Sequence, residues 1–186
     1  MAEIELRQGN LLQADVEALV NTVNCVGIMG KGVALQFRQA FPENFREYAL
    51  ACRAKLVQPG HMFVVTMDRF VNPKYIINFP TKRHWKGKSD IEDIRTGLVA
   101  LVEEIMQKDI QTIAIPPLGC GNGGLNWNDV RPLIVHALQD VPNLHVMLYE
   151  PQQAPNTDTM PVATKKPRMT GFRAYLVQLI ELYAAS

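Results

Sequence analysis

Three cysteines in 186 residues, Cys25, Cys52 and Cys120, are too few and too scattered for a disulfide framework: the count is odd, and no Cys-x-x-Cys or Cys/His pair has zinc-ligand spacing. Reduced thiols, no metal, no cofactor and activity that survives a chelator are therefore expected. Long apolar runs are missing too. None approaches the roughly 18 residues that cross a bilayer, and Met1-Ala2-Glu3-Ile4-Glu5 lacks the basic-then-apolar layout of a secretory leader. A cytoplasmic protein without a membrane partner is the expectation. Neither sign of charge dominates. Lys and Arg number 19 against 18 Asp and Glu, a net charge of +1, so any nucleic-acid footprint has to be local. No internal repeat is visible. With 47% hydrophobic and 20% charged residues the composition is that of a folded globular chain, which excludes disordered, collagen-like and coiled-coil classes.

Glycine and proline cut the chain into segments whose apolar period switches between about 2 and about 3.6. Ile4 to Arg7, Ala18 to Thr22, Met62 to Met67, Tyr75 to Phe79, Thr112 to Pro116 and Leu144 to Leu148 read as strands. Val33, Ala34, Phe37 and Ala40 have helical spacing, and Pro42 opens a second helix through Lys55. Ser89 or Asp90 caps a long helix striped by Ile91, Ile94, Leu98, Leu101, Val102 and Ile105, and Asn128 to Leu138 forms another. Strands alternating with helices predict an α/β sandwich whose central sheet is mostly parallel and covered on both faces, over residues 1–150. Residues 151–170 hold a proline-rich linker. Residues 171–186 turn helical again, with Phe172, Leu176, Leu179, Ile180 and Tyr183 on one face; this helix either docks on the main domain or opens a second one.

Three strand exits carry the chemistry. Residues 21–32 (Asn-Thr-Val-Asn-Cys-Val-Gly-Ile-Met-Gly-Lys-Gly) lie after a strand and before a helix, where glycines let peptide N–H groups approach an anion and the helix start adds positive charge. The loop is neither Gly-x-Gly-x-x-Gly nor a P-loop, and alone it fits a simple connection as well. A second glycine-rich exit, Pro116-Pro117-Leu118-Gly119-Cys120-Gly121-Asn122-Gly123-Gly124-Leu125, has the same position. Two such loops together point to a diphosphate held between backbone cradles. The third exit, Asn78-Phe79-Pro80-Thr81-Lys82-Arg83-His84-Trp85-Lys86-Gly87-Lys88, is basic without an acid, and its Trp85 either packs on the domain or stacks on a base. Arg83, His84, Trp85, Lys86 and Lys88 are the candidate DNA-binding residues.

These motifs resemble the macrodomain family, three-layer α/β/α sandwiches that bind ADP-ribose, over about residues 3 to 150. Gly9-Asn10-Leu11-Leu12 matches the family's adenine corner, Asn21-Thr22-Val23-Asn24 its distal-ribose segment, and the two glycine loops its diphosphate cradle. Residues 24–34 taken with 78–85 are most similar to the DarG type, antitoxins of DarT/DarG pairs, which remove ADP-ribose that the toxin attaches to thymine in single-stranded DNA.

The resemblance implies a DNA ADP-ribosyl glycohydrolase, with ADP-ribosylated single-stranded DNA and a DarT-like toxin as partners, the toxin mainly through a further C-terminal domain. It makes Lys82, Asn24 and His84 the catalytic candidates, Asn24 as the ribose ligand at the reacting end and Lys82 working alone or with His84. His84 is open between a proton shuttle, a DNA phosphate contact and a surface imidazole. Asn10 would accept from the adenine amino group, Leu11 offer its N–H, and Tyr149 stack on the ring or simply close the core. Asn21, Gly30, Lys31, Gly32, Val33, Thr81, Pro117, Gly119, Cys120, Gly121, Asn122, Gly123, Gly124 and Leu125 complete the expected ADP-ribose contacts, Lys31 being either a phosphate partner or a solvated charge. Lys82 would act as an acid toward the departing base or, neutral, as an amine forming a Schiff base; Arg83 and Lys86, if near, would lower its pKa. Cys25 and Cys120 have no base beside them and read as packing residues. Related eukaryotic glutamate-ADP-ribose hydrolases pair the lysine with a loop aspartate, and residues 120–124 here contain no acid. That absence counts against one alternative, a protein or metabolite ADP-ribosyl hydrolase; the other is a reader that binds ADP-ribose without turnover.

Overall fold

The computed structural model describes residues 1–68 and 71–151, so the linker beyond Pro151 and the helix over 171–186 lie outside the described residues. In chain order the elements are β1 (Glu3–Arg7), a 3-10 turn (Leu11–Gln13), β2 (Ala18–Asn24), α1 (Gly32–Ala40), α2 (Pro42–Arg53), β3 (Phe63–Thr66), β4 (Tyr75–Lys82), α3 (Ile91–Gln107), β5 (Thr112–Ile115), α4 (Trp127–Leu138) and β6 (His145–Tyr149). They form a 6-stranded sheet ordered β1-β6-β5-β2-β4-β3. Every neighbouring pair is parallel except β3 with β4.

Side-chain alternation along the strands divides the core between two faces. Ala18 and Val20 of β2 and Ile77 and Phe79 of β4 pack under the α3 and α4 stripes (Ile94, Leu98, Leu101, Ile105, Val130, Ile134, Leu138). Leu19 and Ile76 point the other way, to Phe37, Ala40 and Phe41 of α1 and the α1–α2 corner. The helix α3 begins as its sequence predicts. Asp90 rather than Ser89 is the N-cap and accepts from the Glu92 N–H at 3.0 Å.

One boundary departs from expectation in a way that matters. The strand predicted to stop at Phe79 runs through Pro80 to Lys82. β3 pairs with β4 only between Tyr75 and Asn78, and the β2 ladder shifts register between Val23 and Asn24, so Pro80 stands past its antiparallel neighbour and beside an irregularity, where a missing N–H is tolerated. Lys82 is thus mounted on the end of a strand instead of in the loop that follows.

Gly97 in the middle of α3 also has a packing reason. A Cβ there would lie 2.3 Å from Cζ of the fully buried Phe79 ring. Gly97→Ala should therefore lower stability by about 2 kcal/mol despite alanine's better helix propensity, a drop of roughly 4–8 °C in Tm. An unchanged or raised Tm would show that α3 can retreat from β4 without loss.

Candidate active site

Chain order reverses between β5 and β2: β2 continues toward β4, and β5 continues toward β6. Ligands of open parallel sheets bind at such a switch point, outside the carboxyl ends of the strands. Here the loops leaving β2 and β5 enclose a cleft of about 870 Å³, a size suited to a small ligand. Gly9, Asn10, Leu11, Tyr149 and Glu150 line it from β1 and β6, and Thr81, Lys82, Trp85 and Lys86 from β4. By strand spacing, β6 and β4 stand about 14 Å apart across this edge.

Between those ends lie the two glycine loops. Lys31 provides no side-chain cap to α1, and the N–H groups of Gly32, Val33 and Ala34 meet no acceptor among the described residues. In the second loop Gly119 (φ 70°) and Gly124 (φ 78°) adopt left-handed conformations suited to glycine. The turn is closed by Leu125 N–H to the Gly119 carbonyl at 3.1 Å and Gly124 N–H to the Gly121 carbonyl at 3.2 Å. The N–H groups of Gly121, Asn122 and Gly123 are left without acceptors among the described residues. All six of these residues line the cleft. The loops nearly touch, since a Cβ on Gly32 would come within 3.1 Å of Asn122 Nδ2. Two rows of unsatisfied backbone donors facing one cavity form an anion site, reinforced by the positive end of α1.

Lys82 reaches across the cleft, and its Nζ donates to the main-chain carbonyl of Asn122. Partial burial lowers its pKa from the ordinary lysine value. The expected cause, neighbouring charge, is not the operative one. Arg83 is engaged by Asp93, and Lys86 Nζ lies 5.0 Å over the Trp85 ring. Desolvation alone makes the shift.

The remaining expected residues divide into those on the cleft wall and those behind it. Gly30, Lys31, Gly32, Val33, Thr81, Pro117, Gly119, Gly121, Asn122, Gly123, Asn10, Leu11 and Tyr149 are on the wall, and so is Asn24. Asn24's carboxamide braces its own loop: Oδ1 accepts from Val26 N–H at 3.0 Å and Ile28 N–H at 3.3 Å, and Nδ2 donates to the Ile28 carbonyl. Asn10 Oδ1 accepts from Leu12 N–H at 3.0 Å, capping the 3-10 turn with the atom expected to meet adenine. Asn21 does not reach the cleft. It is fully buried, and its Nδ2 donates to Asn78 Oδ1 at 3.0 Å, because its position on β2 faces α2, where Asn44 completes an amide cluster. Cys120, Gly124 and Leu125 likewise stand outside the wall, Leu125 packing against the core beneath the loop.

Of the basic segment, Trp85 and Lys86 line the cleft, and Trp85 keeps 44% of its surface exposed. Its indole already has partners, the His84 ring at 5.7 Å and the Lys86 ammonium. His84, Lys88 and Arg83 are exposed but off the cleft wall, and His84 Nδ1 accepts from the Lys86 N–H at 3.3 Å.

Burial pushes the Cys25 and Cys120 thiols up to about 11, as expected of packing residues and not nucleophiles. At pH 8 only about one in a thousand of either is thiolate. Alkylation of the native protein at pH 8 should therefore be far slower than of the denatured chain; equal rates would contradict the packing role. Among the described residues no group of three His, Cys, Asp or Glu side chains is placed to hold a metal, and no helix is long and apolar enough to cross a membrane.

Sequence reasoning missed Gln36 and Glu150 on the wall. Gln36 left a trace: it is 5% exposed and falls on the helical stripe of Val33, Phe37 and Ala40, where an apolar side chain is the norm.

A macro domain family model matches residues 20–134. A DNA ADP-ribosyl glycohydrolase of Thermus aquaticus is 48% identical over 178 residues, 96% of this chain and 49% of the relative. The chain thus spans about half the length of the curated relatives it matches. Among solved structures, the macrodomain of Mycobacterium tuberculosis DarG matches with a TM-score of 0.80 at 49% identity, over 82% of this chain and 100% of that one. Thermosipho africanus DarTG in complex with ADP-ribose gives 0.75 at 31%, over 86% of this chain and 45% of that one. The switch-point cleft, the sheet around it and these matches place the chain in the macrodomain family, among macrodomains of the DarG type.

Proposed function

We propose that this chain is a DNA ADP-ribosyl glycohydrolase that removes ADP-ribose from thymine bases of single-stranded DNA, and that it works in the cytoplasm as the antitoxin to a DarT-like ADP-ribosyltransferase. The observation that carries the reading is the pairing of two donor-lined glycine loops with a half-buried lysine at one end of the same cleft. The loops suit a diphosphate. The Asn10–Leu11–Tyr149 end suits adenine, which leaves the distal ribose at the β4 end beside Lys82, with Trp85, Lys86 and Lys31 around the mouth for the nucleic acid. The chain spans about half of its curated relatives, and the DarG-type relatives include a transferase–glycohydrolase fusion from Thermosipho africanus, which supports a toxin partner.

Lys82 supplies the chemistry. Burial favours its neutral amine, which attacks the anomeric carbon as the bond to the thymine nitrogen breaks, one amine proton going to the departing base. The glycosylamine so formed opens its ring to an imine, the ring oxygen taking the second amine proton, and water then cleaves the imine to give ADP-ribose and free amine. Activity should rise with pH through the lowered pKa of Lys82, since the deprotonated form reacts. An acid role would give the opposite slope. The absence of an acid in residues 120–124 argues against the lysine–aspartate route to glutamate-linked ADP-ribose. The test is a substrate panel. A single-stranded oligonucleotide carrying ADP-ribosyl-thymine should be cleaved and an ADP-ribosyl-glutamate peptide spared, and the reverse preference would replace the proposal with a protein hydrolase.

A further inference from the structure

We infer that Asp93 and Arg83 are a positioning pair that fixes the direction of Lys82, an inference that rests on the proposed hydrolase and deepens it. Arg83 follows Lys82 directly, and its guanidinium grips both carboxylate oxygens of Asp93, Nη2 to Oδ1 at 2.9 Å and Nη1 to Oδ2. The acid is the anchored partner: its side chain is 10% exposed against 66% for the arginine. Bidentate geometry of this kind sets orientation as well as distance. The same peptide is held from its other side by the β2 exit, where Cys25 N–H donates to the Arg83 carbonyl at 3.3 Å and Cys25 Sγ–H to the Lys82 carbonyl at 3.4 Å.

Gly97 makes the reach possible. It lies one turn beyond Asp93, and its missing Cβ lets α3 rest against Phe79, three residues before Lys82. The end of β4 is thereby clamped between α3 and the β2 exit, with the Lys82 side chain directed across the cleft to Asn122. Arg83 is off the cleft wall and its charge is matched, so its function is to hold the backbone, not to contact DNA phosphate.

The test compares wild type with Arg83→Lys, Asp93→Asn and the double variant. Each single change should lower kcat on the ADP-ribosylated oligonucleotide about ten- to a hundred-fold, with KM and ADP-ribose affinity within about two-fold. The double variant should be no worse than the poorer single one, as expected of one coupled unit. Arg83 is an exposed side chain, so its substitution reads the pair even where Asp93→Asn unfolds. A readout independent of turnover is acylation of Lys82 followed by mass spectrometry. Labelling should change about five-fold in rate in both variants as the lysine leaves Asn122, since release alters both its access to reagent and its desolvation. Unchanged kcat and unchanged labelling would overturn the inference. A raised KM with a salt slope reduced by about one for Arg83→Lys, but not for Asp93→Asn, would make Arg83 a phosphate contact instead. Wild type that releases nothing while the labelling shift persists would sink the hydrolase reading and leave the positioning pair standing.

Discussion

Lys82→Ala should abolish release of ADP-ribose from modified DNA, lowering kcat by about 10³-fold or more, while ADP-ribose binds within about three-fold of wild type. The separation follows from where the lysine stands. Among the described residues its Nζ donates to the carbonyl of Asn122, and the N–H groups without acceptors there that suit the diphosphate belong to the backbone of Gly32, Val33, Ala34, Gly121, Asn122 and Gly123. Removing the Lys82 side chain at one end of the cleft therefore leaves the anion cradle whole. Borohydride added during turnover should trap a covalent ADP-ribosyl adduct on wild type and none on the variant, because the imine forms on the Lys82 amine. Equal loss of turnover and binding would make Lys82 a ligand contact. Turnover without a trappable adduct would move it to the acid role.

The second large effect is expected at Gly123. A methyl group there would lie 2.1 Å from the Gly119 carbonyl oxygen and 2.2 Å from Ser89 Oγ, a buried hydroxyl whose residue also ties the loop down by Ser89 N–H to the Gly123 carbonyl at 3.0 Å. A backbone carbonyl cannot swing aside as a flexible side chain can, so the loop itself must move and the donors of residues 121–123 lose their aim. Losing two charge-assisted bonds to phosphate amounts to about 3 kcal/mol, so Gly123→Ala should weaken ADP-ribose binding about a hundred-fold by calorimetry. Gly121 supplies the contrast. A Cβ on it meets nothing within 4 Å, and Gly121→Ala should stay within several-fold of wild type. Similar affinities for the two variants would show that the phosphates are not held by this loop.

What was legible in the sequence was local. The α3 stripe from Ile94 to Ile105, the proline opening α2 and the glycine loops after β2 and β5 follow from periodicity and from the conformations that only certain residues reach. Lys82 was legible through resemblance, since a lone lysine in a basic stretch carries no local signal. What was not legible depended on contacts between distant segments. Pro80 reads as a strand breaker until it is known that β3 stops short of it. Asn21 reads as a ligand contact because it shares a segment with Asn24, yet strand alternation turns it into a buried cluster with Asn44 and Asn78. Arg83 reads as a free cation until α3 folds back and brings Asp93 to it. Sequence and fold diverge in this way chiefly at polar residues, because a side-chain amide or guanidinium has the same local signature whether it faces solvent, ligand or a partner far along the chain.

The most direct test of the central claim is a time course of ADP-ribose release by the wild-type chain from a single-stranded oligonucleotide bearing one ADP-ribosyl-thymine, read by mass spectrometry of both products. The proposal predicts free ADP-ribose and unmodified oligonucleotide in equal amounts over many turnovers. Saturable binding of ADP-ribose with the modified oligonucleotide left intact would contradict it and make the cleft a site of recognition alone.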